Sequence, residues 1–397
     1  MKMQTRRGLH SSFDLPRMKP KNILLVGEYS GFHNALKAGL ESHGHRVTLI
    51  AAGDGFKKYP IDIDVRSTRY QSSLPRKFKN LVYEVTGRDL AGRDSLHQIK
   101  SNLEPRYDVI QFVNSAPFQF GAREEFAAVD FICSLSDNLY LHAGGMDVPY
   151  VEFGFNHPDK RTLLQPYLRN KKLKPQFRHA LKYRKPEYQQ FFQGFRSQLS
   201  GIIPTDADYL EPYQDDSLTL PLIPAPMVLP SPRPQPLDFT GRIKIFLGIN
   251  TTNQETKGVP LFLKVLDNLK SSYGDAIEVK ITKDLPYQQY LRAYEGSHIL
   301  LDQCYSEDQG YNGREAMVRG LVAVSGAGKQ FQDHYNLDRE VLIPASSDVA
   351  DMTRRISDLL EDRAALAALA QRGQDHVYAH HDHSAVAKRY LEAWSRG

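Results

Sequence analysis

The hydrophobic pattern divides the chain into two similar halves. Asn22-Ile-Leu-Leu-Val-Gly27 is a short apolar run that stops at glycine. Phe32, Leu36 and Leu40 follow at helical spacing up to Gly44, and Arg46-Val-Thr-Leu-Ile50 is a second apolar run. Strand, glycine-bearing turn, helix and strand make a βαβ unit, whose crossover implies parallel strands. Further strands are predicted at Asp108–Val113 and Phe131–Ser134, with a weaker candidate at Tyr150–Phe153. The alternation restarts at Arg242–Gly248. The spacing then predicts a helix over Val259–Ser271, a strand at Ile277–Ile281 and a helix over Pro286–Tyr294. Next come a strand at His298–Asp302, a loop, a helix through Glu315 to Arg319, and strands at Leu321–Ser325 and Val341–Ile343. Helices over Ala350–Leu360, Arg363–Arg372 and Ser384–Trp394 close the chain.

Between the halves, Pro221, Pro224, Pro226, Pro230, Pro232, Pro234 and Pro236 crowd one span that can be neither helix nor central strand. It reads as an extended, semi-rigid connector. The expected organisation is a flexible tail over 1–20, a Rossmann-like domain over 21–220 and a linker over 221–240. A second Rossmann-like domain over 241–375 and a terminal helical segment over 376–397 complete it. Two such α/β domains face each other across a cleft.

At 397 residues, two domains are the ordinary expectation, and 41% apolar with 24% charged residues is globular composition. No run approaches the ~18 apolar residues of a membrane span. The first twenty residues are basic without an apolar block, unlike a secretory signal. Cys133 and Cys304 lie apart in apolar runs, with no CxxC or Cys/His cluster to suggest a disulfide framework or zinc. A cytoplasmic protein is expected.

The charge is uneven. Residues 157–187 carry ten basic side chains against Asp159 and Glu187, and Arg76, Lys77 and Lys79 sit beside Leu74, Phe78 and Leu81. These runs suit an anionic partner such as the inner face of a membrane, or else form solvated helical faces. Nucleic acid is not expected, because neither an aromatic stacking platform nor a recognition helix stands out.

Chemistry concentrates in Leu301–Gly320, a segment that leaves a strand and enters a helix at the carboxyl end of a parallel sheet. Gly310 and Gly313 allow close backbone approach, and the free N–H groups of the helix suit an anion such as a diphosphate. Glu307 and Glu315 lie eight apart and can accept hydrogen bonds from sugar or ribose hydroxyls. Glu307-x7-Glu315-Ala-Met-x-x-Gly320 resembles the signature of retaining GT-B enzymes, notably glycosyltransferase family 4. Leu-Asp-Gln-x-Tyr-Ser with Asn312 is similar to members that build capsular and other surface polysaccharides. The resemblance implies a GT-B fold, with the C-terminal helix crossing back to the first domain. It also implies a nucleotide-sugar donor, a saccharide or lipid-linked acceptor, and no metal or other cofactor. The first glutamate would contact the donor sugar and the second the ribose; the Glu-Gly-Phe-Gly usual after the first is replaced here by Asp308-Gln-Gly.

Gly248–Gly258 resembles the donor-phosphate loop of the family, with Lys257-Gly258 present and Asn250 or Thr251 near the place of the usual arginine. Lys257 would meet the charge of the leaving diphosphate, as a point charge without a fork. Donor contacts are expected from Gly31, Asn250, Lys257, Tyr305, Ser306, Asn312, Gly313 and Glu315. Gly27–Asn34 has a phosphate-cradle shape, so the helix N-terminus behind Gly31 is expected to supply donors beside that behind Asn312. Gly53-Asp-Gly55-Phe-Lys57 is either a cleft loop or a plain turn. Where relatives place a first-domain residue over the transferred sugar, Asp137 and His142 are the candidates; the alternative reading of each is a local hydrogen-bonding residue. The same holds for His33. His376, His380, His381 and His383 read as structural. Lys257, Glu307, Asp137 and His142 are thus the candidate catalytic set. A GT-B nucleotide-sugar epimerase and a non-catalytic two-domain binder are the competing classes.

Overall fold

The computed structural model describes residues 19–53, 59–70 and 72–395. Most of the 1–20 tail, and Gly55 and Lys57 of the candidate loop, lie outside the described residues. The first half builds a sheet from β1 (Asn22–Val26), β2 (Arg46–Ala51), β3 (Ile63–Asp64), β4 (Val109–Phe112), β5 (Leu139–Ala143) and β6 (Gly201–Pro204). Its order is β3-β2-β1-β4-β5-β6 and every pairing is parallel. The second half contributes β7 (Ile243–Ile249), β8 (Ile277–Lys283), β9 (Ile299–Leu301), β10 (Val322–Ser325) and β11 (Ile343–Pro344), in the parallel order β11-β10-β9-β7-β8. In both sheets the chain turns back beside the first strand, so a crevice opens at the carboxyl ends of β1 and β7. Central strands covered on both faces read as continuous apolar runs, which is why β1, β4 and β9 are almost wholly buried.

Two predicted strands are helical. Phe131–Ser134 ends the helix Ala122–Cys133, which buries Glu125, Ala128, Val129, Ile132 and Cys133 along one face. Tyr150–Phe153 lies inside the helix Val148–Asn156, where Asp147 caps the N-terminus by accepting from the Tyr150 N–H. The strands the sheet uses instead are β5 and β6. Cys133 and Cys304 are both buried free thiols.

The chain crosses back at its end. Helix His383–Ala393 packs on helix Phe32–Ser42, and the Trp394 indole donates to Gln111 Oε1 of β4 at 3.1 Å. The proline-rich connector is tied to the same crossing: Met227 N–H donates to the His381 carbonyl at 2.7 Å, and its own carbonyl accepts from His383 N–H at 3.0 Å. No helix among the described residues is long and apolar enough to cross a membrane.

Candidate active site

A cavity of about 440 Å³ opens between the carboxyl ends of the two sheets. Its walls include Tyr29 and Ser30 from the first half and Asn250, Asn253, Lys257, Asp284, Tyr290, Gln303 and Asn312 from the second. A neighbouring cavity of about 330 Å³ shares Ser30 and Tyr311 with it, and adds Gly31, Tyr59, Tyr287 and Glu315. The two segments singled out in the second half therefore meet at one cleft, with Lys257 in the first chamber and Glu315 in the second.

Lys257 is placed by its neighbours. The short helix Gln254–Lys257 ends at Gly258, whose φ of 76° is left-handed. A Cβ at Gly258 would lie 2.8 Å from Cys304 Cβ, so glycine lets this loop press onto the segment after β9. There the Lys257 carbonyl accepts from Cys304 N–H at 3.0 Å, and Lys257 Nζ lies 2.7 Å from Asp302 Oδ1. Asp302 is wholly buried in its side chain and also accepts from Ser325 Oγ at 2.9 Å. An ammonium has three N–H donors, and Asp302 engages one, which leaves donors for a group in the cavity.

The helix Tyr311–Val318 starts on the same wall. Gly310 at its N-cap has no side-chain cap, and the first intrahelical acceptance is by the Gly310 carbonyl from Arg314 N–H. The N–H groups of Asn312 and Gly313 in this first turn point from the positive end of a helix. One turn on, Glu315 accepts from the Tyr287 hydroxyl through Oε1, while Oε2 is buried with no protein partner. A buried carboxylate oxygen without a donor is costly unless a ligand hydroxyl satisfies it.

The corresponding helix start in the first half is already taken. Glu28 accepts from Gly31 N–H at 2.7 Å, from Asn34 N–H at 2.8 Å and from Asn34 Nδ2 at 2.6 Å. A carboxylate sits where a phosphate was expected, so the N-terminus behind Gly31 is capped from within the chain. Gly31 itself, at φ 91°, lines the second chamber against Tyr59, whose Cζ would stand 2.6 Å from a Cβ there.

Other candidates are placed away from the cavities. Asp137 precedes β5, at the amino end of the sheet, where its exposed carboxylate pairs with Arg106. His142 lies within β5; its ring stacks on Phe32 at 3.9 Å, and Nε2 is 2.7 Å from Thr205 Oγ1. His33 Nδ1 donates to the Gly27 carbonyl at 2.6 Å. Burial lowers the pKa of both rings, that of His33 to about 3, so each stays neutral. Tyr305 packs in the hydrophobic core of the second half and Ser306 hydrogen-bonds Asp208, whereas Gly313, in the first turn of helix Tyr311–Val318 on the cleft wall, has Asp302 Oδ2 3.2 Å from where a Cβ would stand. Glu307 follows Ser306 into the join between the halves: its N–H donates to Asp208 Oδ1 at 2.7 Å and its carboxylate lies 3.5 Å from Arg161 Nε. Burial raises the pKa of Glu307 and Arg161 opposes the rise. The eight-residue spacing paired Glu307 with Glu315 as hydrogen-bond acceptors for a sugar nucleotide, whereas the structure holds Glu307 against Asp208 and Arg161 of the first half. His376, His380 and His381 pack around the Tyr335 ring.

Sequence reading passed over Asp302, Gln303, Asp284 and Tyr287. The signal for Asp302 was available: an acid directly after an apolar strand is rarely buried unless a cation meets it. Asp284 accepts from Thr251 N–H at 2.9 Å and so shapes the loop that carries Lys257.

Residues 260–392 match the model of a family described as glycosyl transferase-like. No curated protein matches the chain. Among solved structures, sucrose-phosphate synthase from Thermosynechococcus elongatus superposes with a TM-score of 0.60 at 13% identity, over 95% of this chain and 98% of that one. A mutant of S. aureus TarM, in complex with fondaparinux, alpha-GlcNAc-glycerol and UDP, gives 0.51 at 10% identity. That match covers 77% of this chain and 59% of TarM, so this chain spans about three fifths of TarM's length. The two facing parallel sheets, the crossing terminal helix and these superpositions establish that the chain has the GT-B fold.

Proposed function

We propose that this chain is a glycosyltransferase, akin to family 4, which moves a sugar from a nucleoside diphosphate donor to a saccharide or lipid-linked acceptor with retention. The observation that carries the reading is the pairing of Lys257 with the N-terminus of helix Tyr311–Val318 on one wall of the cleft. A leaving diphosphate gains negative charge as the glycosidic bond breaks, and a cation with oriented N–H donors stabilises that charge without a metal. Asp302 is a positioning residue that fixes the ammonium. Glu315, with one orphaned oxygen, suits the ribose hydroxyls of the donor. Retention rests on the likeness of Glu307-x7-Glu315-Ala-Met to retaining enzymes, and front-face attack is the working mechanism; among the described residues the carboxylate lining the first cavity is Asp284, which accepts from Thr251. UDP-sugars are the first donors to test, since the TarM complex contains UDP.

The test is a panel of nucleotide sugars, scored first by thermal shift and then by nucleotide release with and without added saccharides. An acceptor-dependent release, with the anomeric centre retained by NMR, is expected. Conversion of the donor's sugar to its epimer without acceptor would make the chain an epimerase. A panel in which no donor is bound or consumed would overturn the reading.

A further inference from the structure

Of the eight large apolar side chains most exposed among the described residues, five lie on one helix, Ser73–Thr86. Leu74, Phe78, Leu81 and Val85 are exposed by 77%, 59%, 58% and 75%. Their spacing of four, three and four residues stacks them as a single stripe along the helix. The half-buried positions Pro75, Lys79 and Val82 lie on the flank about a quarter-turn round, and the main packing partner is the helix Leu90–Asn102. The helix thus turns its more apolar face outward. Large side chains left in water this way mark a surface that meets something.

Charge selects the occupant. Residues 69–88 carry Arg69, Arg76, Lys77, Lys79 and Arg88 against Glu84 alone. A second copy of the chain placed on this face by a two-fold axis would bring like charges together. An anionic phospholipid leaflet meets the same charges with the opposite sign, and accepts the apolar stripe below its headgroups. The longer basic run at 157–187 is less available: Arg161 reaches the Ala345 carbonyl, Lys160 pairs with Glu211, and Lys182 donates to Gln119.

The helix also lies on the cleft side of the first sheet. A Cβ at Gly121, in the loop layer beyond β4, would stand 3.3 Å from Tyr83 Cε2. In the same loop Gln119 Nε2 donates at 2.6 Å to Tyr29 Oη, and Tyr29 lines the 440 Å³ cavity. We propose that helix Ser73–Thr86 seats on an anionic phospholipid surface through Leu74, Phe78, Leu81 and Val85, holding the open cleft beside the bilayer. This goes beyond the glycosyl-transfer reading and stands on separate residues.

The experiment is flotation of the full chain with vesicles of phosphatidylcholine alone or containing about 30 mol% phosphatidylglycerol. Wild type is expected to float with the anionic vesicles at low salt and to be released as salt rises. The double variant Phe78→Ser/Leu81→Ser, which changes exposed side chains only, is expected to bind about tenfold or more weakly. Donor-induced thermal shift is read on the same samples and should not change, so failure of this proposal is distinguishable from failure of the cleft reading. Absence of flotation by wild type at low salt would overturn the proposal. So would binding that survives the double substitution, or a dimer in sedimentation that the double substitution abolishes.

Discussion

Replacing Lys257 by methionine removes one positive charge and keeps nearly the same length of side chain. Two effects follow, and the structure separates them. Asp302 is wholly buried and loses its cation, and breaking a buried pair costs about 3–5 kcal/mol. Lys257 keeps 21% of its side chain exposed, so the pair is partly solvated and a loss near about 3 kcal/mol is expected. The second effect is on chemistry: one preorganised donor to a developing anion is worth roughly 2.7–4 kcal/mol, or about a hundredfold or more in turnover. Pairing the change with Asp302→Asn removes the orphaned charge while Ser325 keeps an acceptor. The double variant should recover most of the lost stability in urea unfolding and none of the lost turnover. The assay is single-turnover donor consumption at saturating donor, alongside equilibrium unfolding of each variant. Turnover of Lys257→Met within twofold of wild type would refute the reasoning. Turnover restored together with stability in the double variant would refute it equally, because the lysine would then be only a structural partner of Asp302.

Glu315→Gln should weaken nucleotide binding about tenfold, since a neutral amide loses the charge assistance to a ribose hydroxyl, with little change in unfolding midpoint; calorimetric titration with UDP checks it. Asp137→Ala should leave turnover unchanged, because its partner Arg106 and its exposed position are both remote from the cavities; steady-state kinetics decide. Asp147 is buried, and desolvation raises its pKa to about 7 despite the hydrogen bond from Tyr213. The folded state therefore holds this proton more tightly than the unfolded chain, so the group's contribution is present below the ordinary carboxylate range and lost as pH rises towards 7. Relative to wild type, Asp147→Asn should gain stability by up to ~1.4 kcal/mol per pH unit between about pH 5 and 7, and nothing further above that. Urea midpoints across that range give the slope.

Much of this architecture is legible in the chain because parallel strands buried on both faces leave unbroken apolar runs. Asn22–Val26 and Ile243–Ile249 are of that kind, each followed by a helix with regular spacing. Phe131–Ser134 misleads because four apolar or small residues fit strand and helix alike; the preceding Glu124, Glu125 and Ala128 carry the helical period. β6 escapes because only Ile202 and Ile203 separate its glycine from its proline. At the site, glycines betray the loops that hold Lys257 and Asn312, since close backbone approach is written locally. What spacing cannot give is direction. Glu307 stands at the expected spacing from Glu315, yet its backbone N–H is held by Asp208, from the other half of the chain. Glu28 likewise looks like an ordinary strand-end acid until its two oxygens are seen capping the helix behind Gly31.

The claim on which the account rests is that Lys257 and the first turn of helix Tyr311–Val318 grip a nucleotide diphosphate in the cleft. A crystal structure of the full chain soaked with a UDP-sugar tests it most directly. The diphosphate oxygens should lie within about 3.2 Å of Lys257 Nζ and of the backbone N–H groups at Asn312 and Gly313, with the ribose on Glu315. A nucleotide bound elsewhere, with Lys257 still directed only to Asp302 and the helix start empty, would contradict it.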